Sequence, residues 1–331
     1  LKKNIKISRA GFPGVGNFSW MNYLTKILSK KYNVVIDSKN PDLILYSNLH
    51  YNSNQLDYYT NDLTKGVDDY DNNVIKIFIS GEANPGYLSH INKGENYYAL
   101  GYEHIDHPRY LRFPTYVLDA FVLHNEGEMF DEPFDWLIDR SKIGVSIEDK
   151  LHFCSVVQAS ENNDRGKMFD LISSKYYIKS SGPWRPTIQN NEELNRHKYH
   201  NYSNPDYMGK IDGLTYKDKI NFFKNCYFNL SFQYTNTNYL TQEKIIHSFA
   251  SNSIPIFYGN NNILDEGFNP DSFINVHNYK TFEECFNHIN EIYENKNLLN
   301  SYLTAPIFVD NKLPIYFEES YMLNFLENIL K

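Results

Sequence analysis

Three places in this chain put a chemically useful side chain where it could act. Glu82 lies in Ser80-Gly81-Glu82-Ala83-Asn84-Pro85, directly after the apolar run at 74–79. A carboxylate just past the C-terminal end of a parallel strand sits where open α/β sheets hold ligands, and Gly81 and Asn84-Pro85 fix the turn around it. It reads either as an ordinary solvated turn residue or as a base; as a base it would take a proton from an attacking hydroxyl, worth roughly 10²–10⁴-fold in rate. Arg165 opens the helical pattern at 166–174, and Lys244 follows Glu243 at the start of another. A cation at a helix N-terminus opposes the helix dipole unless an anion shares the site. The plain alternative for Arg165 is a side chain pointing to water. One well-aimed group on the charge that develops at a leaving diphosphate is worth about 3–4 kcal/mol. Lone carboxylate and cation pair together suit transfer from a diphosphate-activated donor to a hydroxyl.

These residues need elements to carry them. Alternation and apolar runs predict strands at 3–8, 33–37, 43–46, 74–79 and 97–102 in the first half, with a Gly-rich turn at 11–17 and a helix at 20–30. Residues 109–116 read as extended because Pro114 restricts its neighbour. The acidic stretch 124–150 is expected to link two domains. Beyond it, strands are predicted at 151–159, 227–232 and 254–258, and helices at 166–174, 218–225, 282–293 and 317–330. A strand followed by a Ser-Ser-Gly turn is expected around 175–187. The fold class is therefore α/β, two Rossmann-like halves facing across a cleft. The expected domains are 1–145 for the acceptor, 150–305 for the donor, and a helical tail at 306–331 that could cross back.

Composition narrows the function. With 41% hydrophobic and 22% charged residues over 331 positions, the chain folds into a globule. A net charge of −8 argues against a broad basic surface for nucleic acid. Three widely spaced cysteines, Cys154, Cys226 and Cys285, form no metal pattern or disulfide framework and suit a reducing, cytoplasmic setting. No run approaches the roughly 18 apolar residues of a membrane span, and peripheral membrane association stays open. Asp69-Tyr70-Asp71 precedes its strand instead of following it, so no metal is expected.

The motifs around these residues resemble the α-1,3/1,4-fucosyltransferases, glycosyltransferase family 10. The most specific text is NLSFQYTNTNYLTQEKIIHSFASNSIPIFYG followed by GFNPDSFINVHNYKTFEECFNHI; SGEANP and FCSVVQASENNDRGKMFDLI add to it. The resemblance covers roughly 74–295. It implies an inverting GT-B enzyme that moves a deoxysugar, L-fucose from GDP-fucose, onto a hydroxyl of an oligosaccharide or glycoconjugate, in α-1,3 linkage and with no cofactor required. By the same resemblance Glu82 is the base, Arg165 and Lys244 hold the diphosphate, and Glu243 binds the ribose. Ser181, Gly182 and Tyr239 complete the donor-binding set. A one-residue gap decides whether Tyr239 or Leu240 occupies the motif's Tyr position. Gln233 stands where the family usually has Glu. These departures leave room for another nucleotide sugar, or for a binding protein without catalysis. A retaining relative would need Glu at 240 and 248, which hold Leu and Ser.

Overall fold

The structure, a computed structural model, describes residues 2–10, 16–47, 67–81, 83, 85–125, 134–158, 162–181, 184–185, 187 and 216–331. It divides into two compact units, 1–118 with 315–331, and 119–314.

Among the described residues, the first unit holds a parallel sheet of six strands: β1 (Lys3–Ala10), β2 (Tyr32–Ile36), β3 (Leu43–Tyr46), β4 (Ile75–Ile79), β5 (Tyr97–Gly101) and β6 (Tyr110–Arg112), in the order β2-β1-β3-β4-β5-β6. Its inner strands are near-continuous apolar runs because helices and loops cover both faces; Leu43, Ile44 and Leu45 are buried, as are Ile77, Phe78 and Ile79. Helix α1 (Gly16–Ser29) buries Leu24, Ile27 and Leu28, and the short α2 (Tyr87–Ile91) follows β4.

The second unit is a parallel sheet of β7 (His152–Val157), β8 (Ile178–Ser181), β9 (Cys226–Phe232), β10 (Ile254–Tyr258) and β11 (Ile274–Asn275), in the order β11-β10-β9-β7-β8. Counted from its own first strand, this is the order 2-1-3-4-5, the same as in the first unit. Its connections include α5 (Asn163–Ser173), α6 (Tyr216–Phe223) and α7 (Glu243–Ala250). Helix α8 (Phe282–Glu294) is capped by Thr281 and buries Cys285, Phe286, Ile289 and Ile292 at helical spacing. Helix α9 (Lys296–Thr304) follows it.

One expectation is corrected here. The extended reading of 109–116 stops at Pro114: α3 (Thr115–Asn125) starts at once, since Pro sits well just before or at a helix start. The two units divide inside α3, between Leu118 and Asp119. The stretch after it is tied to the second unit by α4 (Asp135–Ile138), which buries Trp136 and Leu137, and by Arg140, whose guanidinium bonds Asn252 Oδ1 (2.7 Å) and Tyr302 O (3.0 Å). The tail helix α10 (Glu319–Ile329) returns to the first unit, where Phe325 packs on Tyr98 and Tyr321 Oη donates to Arg112 O (3.1 Å).

Candidate active site

The strand order of the second unit reverses between β7 and β9, and in open α/β sheets the crevice beyond the carboxyl ends at such a point takes the ligand. Arg165 stands there. Asn162 caps α5 through Oδ1, which accepts from the Asp164 and Arg165 amides (3.1 and 3.2 Å), so Arg165 lies in the helix's first turn. Its side chain is fully buried, which removes the reading of a solvated arginine. Nη2 donates to Phe232 O (2.9 Å), the last carbonyl of β9, and Cζ lies 5.7 Å from the Trp184 ring centre. Burial lowers its pKa to about 10, against the pull of Glu243.

Glu243 and Lys244 form the first turn of α7. Glu243 Oε1 lies 3.2 Å from Lys244 Nζ and 3.8 Å from Nζ of Lys219 on α6. Burial alone would raise the Glu243 carboxyl, but Lys244 and Lys219 outweigh it and hold the group well below the usual carboxylate range. Asp119 moves the other way, raised by burial and by the Glu243 charge. His247, one turn along α7, is fully buried, and burial with Lys219 beside it pushes its pKa down, which keeps it neutral. Glu243 suits the positive end of the helix dipole; Lys244 does not, and an anion at that end would resolve the conflict.

A buried polar ladder sets α7 on the sheet. Ser248 Oγ donates to Asn229 Oδ1 (2.8 Å) and lies 2.7 Å from Ser231 Oγ, while Asn229 Nδ2 reaches Ser155 Oγ (3.0 Å) on β7. Sequence periodicity marks these strand positions as core and does not reveal that they are paired polar groups.

Ser181 ends β8 beside Val157 of β7. It is 2% exposed, and its Oγ meets no hydrogen-bond partner among the described residues. Its carbonyl accepts from Gln158 N (3.1 Å), and Gln158 O accepts from Trp184 N (3.2 Å), which links this strand end to the ring beside Arg165. Tyr239 has φ 63° and a partly exposed side chain, whereas Leu240 is 2% exposed. Glu82 and Gly182 lie outside the described residues. The structure thus brings Arg165, Glu243 and Lys244 into one electrostatic cluster and adds Lys219, Asp119, His247 and Trp184, which the sequence reading did not single out. Lys219 carried a weak signal, a lysine on a short helix just before β9. Among the described residues no group of three or more His, Cys, Asp or Glu could hold a metal ion.

The two sheets with their flanking helices make an α/β fold of the GT-B type. Three crystal structures of an alpha1,3-fucosyltransferase share it. The complexes with GDP and with GDP-fucose each superpose with a TM-score of 0.69 at 22% identity, covering 99% and 100% of this chain and 91% of theirs. A third, titled without a ligand, gives 0.69 at 24% identity over 99% of this chain and 90% of its own. Residues 185–305 match the model of glycosyltransferase family 10 (fucosyltransferase), C-terminal part. The alpha-(1,3)-fucosyltransferase FucT of Helicobacter pylori is 27% identical over 255 residues, covering 68% of this chain and 45% of that protein. The chain spans less than half the length of that relative.

Proposed function

We propose that this chain is an inverting glycosyltransferase that moves L-fucose from GDP-fucose to a hydroxyl of a glycan, in α-1,3 linkage. The observation that carries it is the cluster of Arg165, Glu243 and Lys244 at the carboxyl end of the second sheet, on the first turns of two helices. In this reading residues 119–314 bind the donor and the first unit binds the acceptor. Arg165 and Lys244 meet the diphosphate, Glu243 takes the ribose hydroxyls, and Ser181, Gly182 and Tyr239 line the remainder. The acceptor oxygen bonds to the anomeric carbon as that carbon's bond to the diphosphate oxygen breaks. GDP departs with the electron pair, and Glu82 receives the hydroxyl proton. The buried free cysteines Cys154, Cys226 and Cys285 suit the reducing cytoplasm, where we place the reaction, with glycan acceptors presented peripherally at a membrane. Among the described residues no helix is long and apolar enough to cross one.

A nucleotide panel tests the donor. A ligand that binds only the folded state raises its melting temperature, so GDP should raise it where UDP and dTDP do not. Lys244→Ala should weaken GDP binding about tenfold by calorimetry, and Glu82→Gln should abolish transfer while GDP still binds. Full transfer by Glu82→Gln overturns the base; stabilisation by UDP alone overturns the donor.

A further inference from the structure

We infer that Gln233 and Asn260 form an amide clamp on residues 239–242 and so position the donor site's helix entrance. This rests on the donor reading above and deepens it. The four residues join the loop after β9 to the first turn of α7, where Glu243 and Lys244 stand. Tyr239 has φ 63°, a left-handed conformation that costs a non-glycine residue on the order of 1–3 kcal/mol and persists only when its surroundings enforce it.

Each of the four residues is held by one of two buried amides. Asn260, fully buried, accepts at Oδ1 from Tyr239 N (2.7 Å) and Asn262 N (2.9 Å), and its Nδ2 donates to Thr241 Oγ1 (3.1 Å). Gln233, 2% exposed, donates from Nε2 to Leu240 O (2.8 Å) and accepts at Oε1 from Gln242 N (2.8 Å), the orientation these neighbours require. Gly259 makes room for it: a Cβ there would fall 2.4 Å from the end of the Gln233 amide. The pairing explains the residue types. Leu240 O needs a donor and Gln242 N an acceptor, and one amide supplies both. A carboxylate at 233 would set negative charge against Leu240 O; a protonated carboxyl would serve as the amide does.

Calorimetry with GDP on the full chain tests the clamp. A buried carboxyl facing a carbonyl has its pKa raised. Gln233→Glu should therefore bind GDP like the wild type near pH 5.5 and about tenfold more weakly near pH 8, a loss of about 1.4 kcal/mol. Gln233→Leu should be weak at both. The ionisable groups nearby are Glu243 and Lys244 beyond Gln242, Tyr258 at the end of β10, and His277, stacked on Tyr258 and bonded to Gly259 O. All are present in the wild type, so comparison at each pH cancels them. Asn260→Asp keeps the acceptor oxygen and should bind normally, whereas Asn260→Ala should lose about tenfold. Wild-type binding by Gln233→Glu at both pH values, together with normal binding by Asn260→Ala, overturns the clamp. If the wild type itself does not bind GDP, the donor reading falls, and amide hydrogen exchange at 239–243 judges the clamp. Protection lost in Asn260→Ala and Gln233→Leu and restored in Asn260→Asp supports it; unchanged protection overturns it.

Discussion

Among the described residues the two sheets share the strand order 2-1-3-4-5, with a sixth strand added to the first, yet the side chains described at their carboxyl ends differ. In the second unit the helices there carry charge: Arg165 is buried outright, and Lys219, Glu243 and Lys244 share one carboxylate oxygen's surroundings. In the first unit the described residues packed at the ends of β4 and β5 are largely aromatic. Tyr87 is fully buried against Phe78, Tyr102 and Tyr110 and donates to Ser80 O (2.7 Å). His90 stacks on Phe78 with ring centres 3.5 Å apart, and burial with Lys93 lowers its pKa to about 4, so it carries no charge at neutral pH. One topology therefore supports two kinds of edge. Buried charge is costly unless it is paired, so substitutions in the ionic cluster should show in ligand binding and those in the aromatic cluster around Tyr87 in stability.

The largest expected effect breaks the ionic edge. Arg165→Met should lower kcat/KM for the proposed fucosyl transfer by about 10²–10³, the usual consequence of removing one group that stabilises developing charge. It also leaves Phe232 O without its arginine donor, so a lower melting temperature should accompany the loss. Unchanged transfer kinetics would remove Arg165 from the site.

The aromatic edge should respond differently. A Cβ at Gly101 would lie 2.0 Å from Tyr87 Cζ, on the phenol end of its ring. Gly101→Ala should cost about 1–3 kcal/mol as an overpacking change, read as a lower urea midpoint, while GDP affinity of the folded fraction stays unchanged. Pairing it with Tyr87→Leu, which vacates ring volume, should recover part of the loss. A Gly101→Ala protein as stable as the wild type would show that this edge is loosely packed.

Sequence alone reaches much of this picture, and its failures have physical causes. Strands Leu43–Tyr46 and Ile254–Tyr258 are read with correct bounds because their apolar runs end at polar or turn residues. Helix α3 is missed because Pro114 forces extension only on the residue before it, while the helix begins just after. Arg165 stands out in the sequence because a cation at a helix start breaks a local rule. Its buried bond to Phe232 O was not legible, since that carbonyl arrives from 67 residues away in sequence. Gln233 read as a departure from the family's Glu, with no function attached. Its two partners, Leu240 O and Gln242 N, are main-chain groups whose position depends on the left-handed turn at Tyr239. Side-chain identity and spacing carry no trace of such a turn.

The smallest expected effect sharpens the comparison, because both units also bury a lysine against main-chain carbonyls. In the first unit Lys76 Nζ donates to Asp71 O (2.8 Å) and Val74 O (3.2 Å); burial lowers its pKa, and Asp68 and Asp71 oppose that. In the second, Lys150 Nζ donates to Lys224 O (2.8 Å) and Ser251 O (2.9 Å), at the ends of α6 and α7, and burial drives its pKa down to about 7. This folded value lies below the ordinary 10.5. Above about pH 7 the folded chain has released a proton that the unfolded chain still holds, so stability rises with pH through that window and is least below it. Between about pH 6 and about pH 8 the gain is about 1.4 kcal/mol. Urea unfolding of the wild type should show it, and Lys150→Met should lose it, with other titrating groups common to both proteins. Lys76→Met should change the slope less, because the carboxylates near Lys76 keep its proton in place. Equal pH dependence in the wild type and Lys150→Met would mean that Lys150 stays protonated across this range, held by the two helix-end carbonyls it caps.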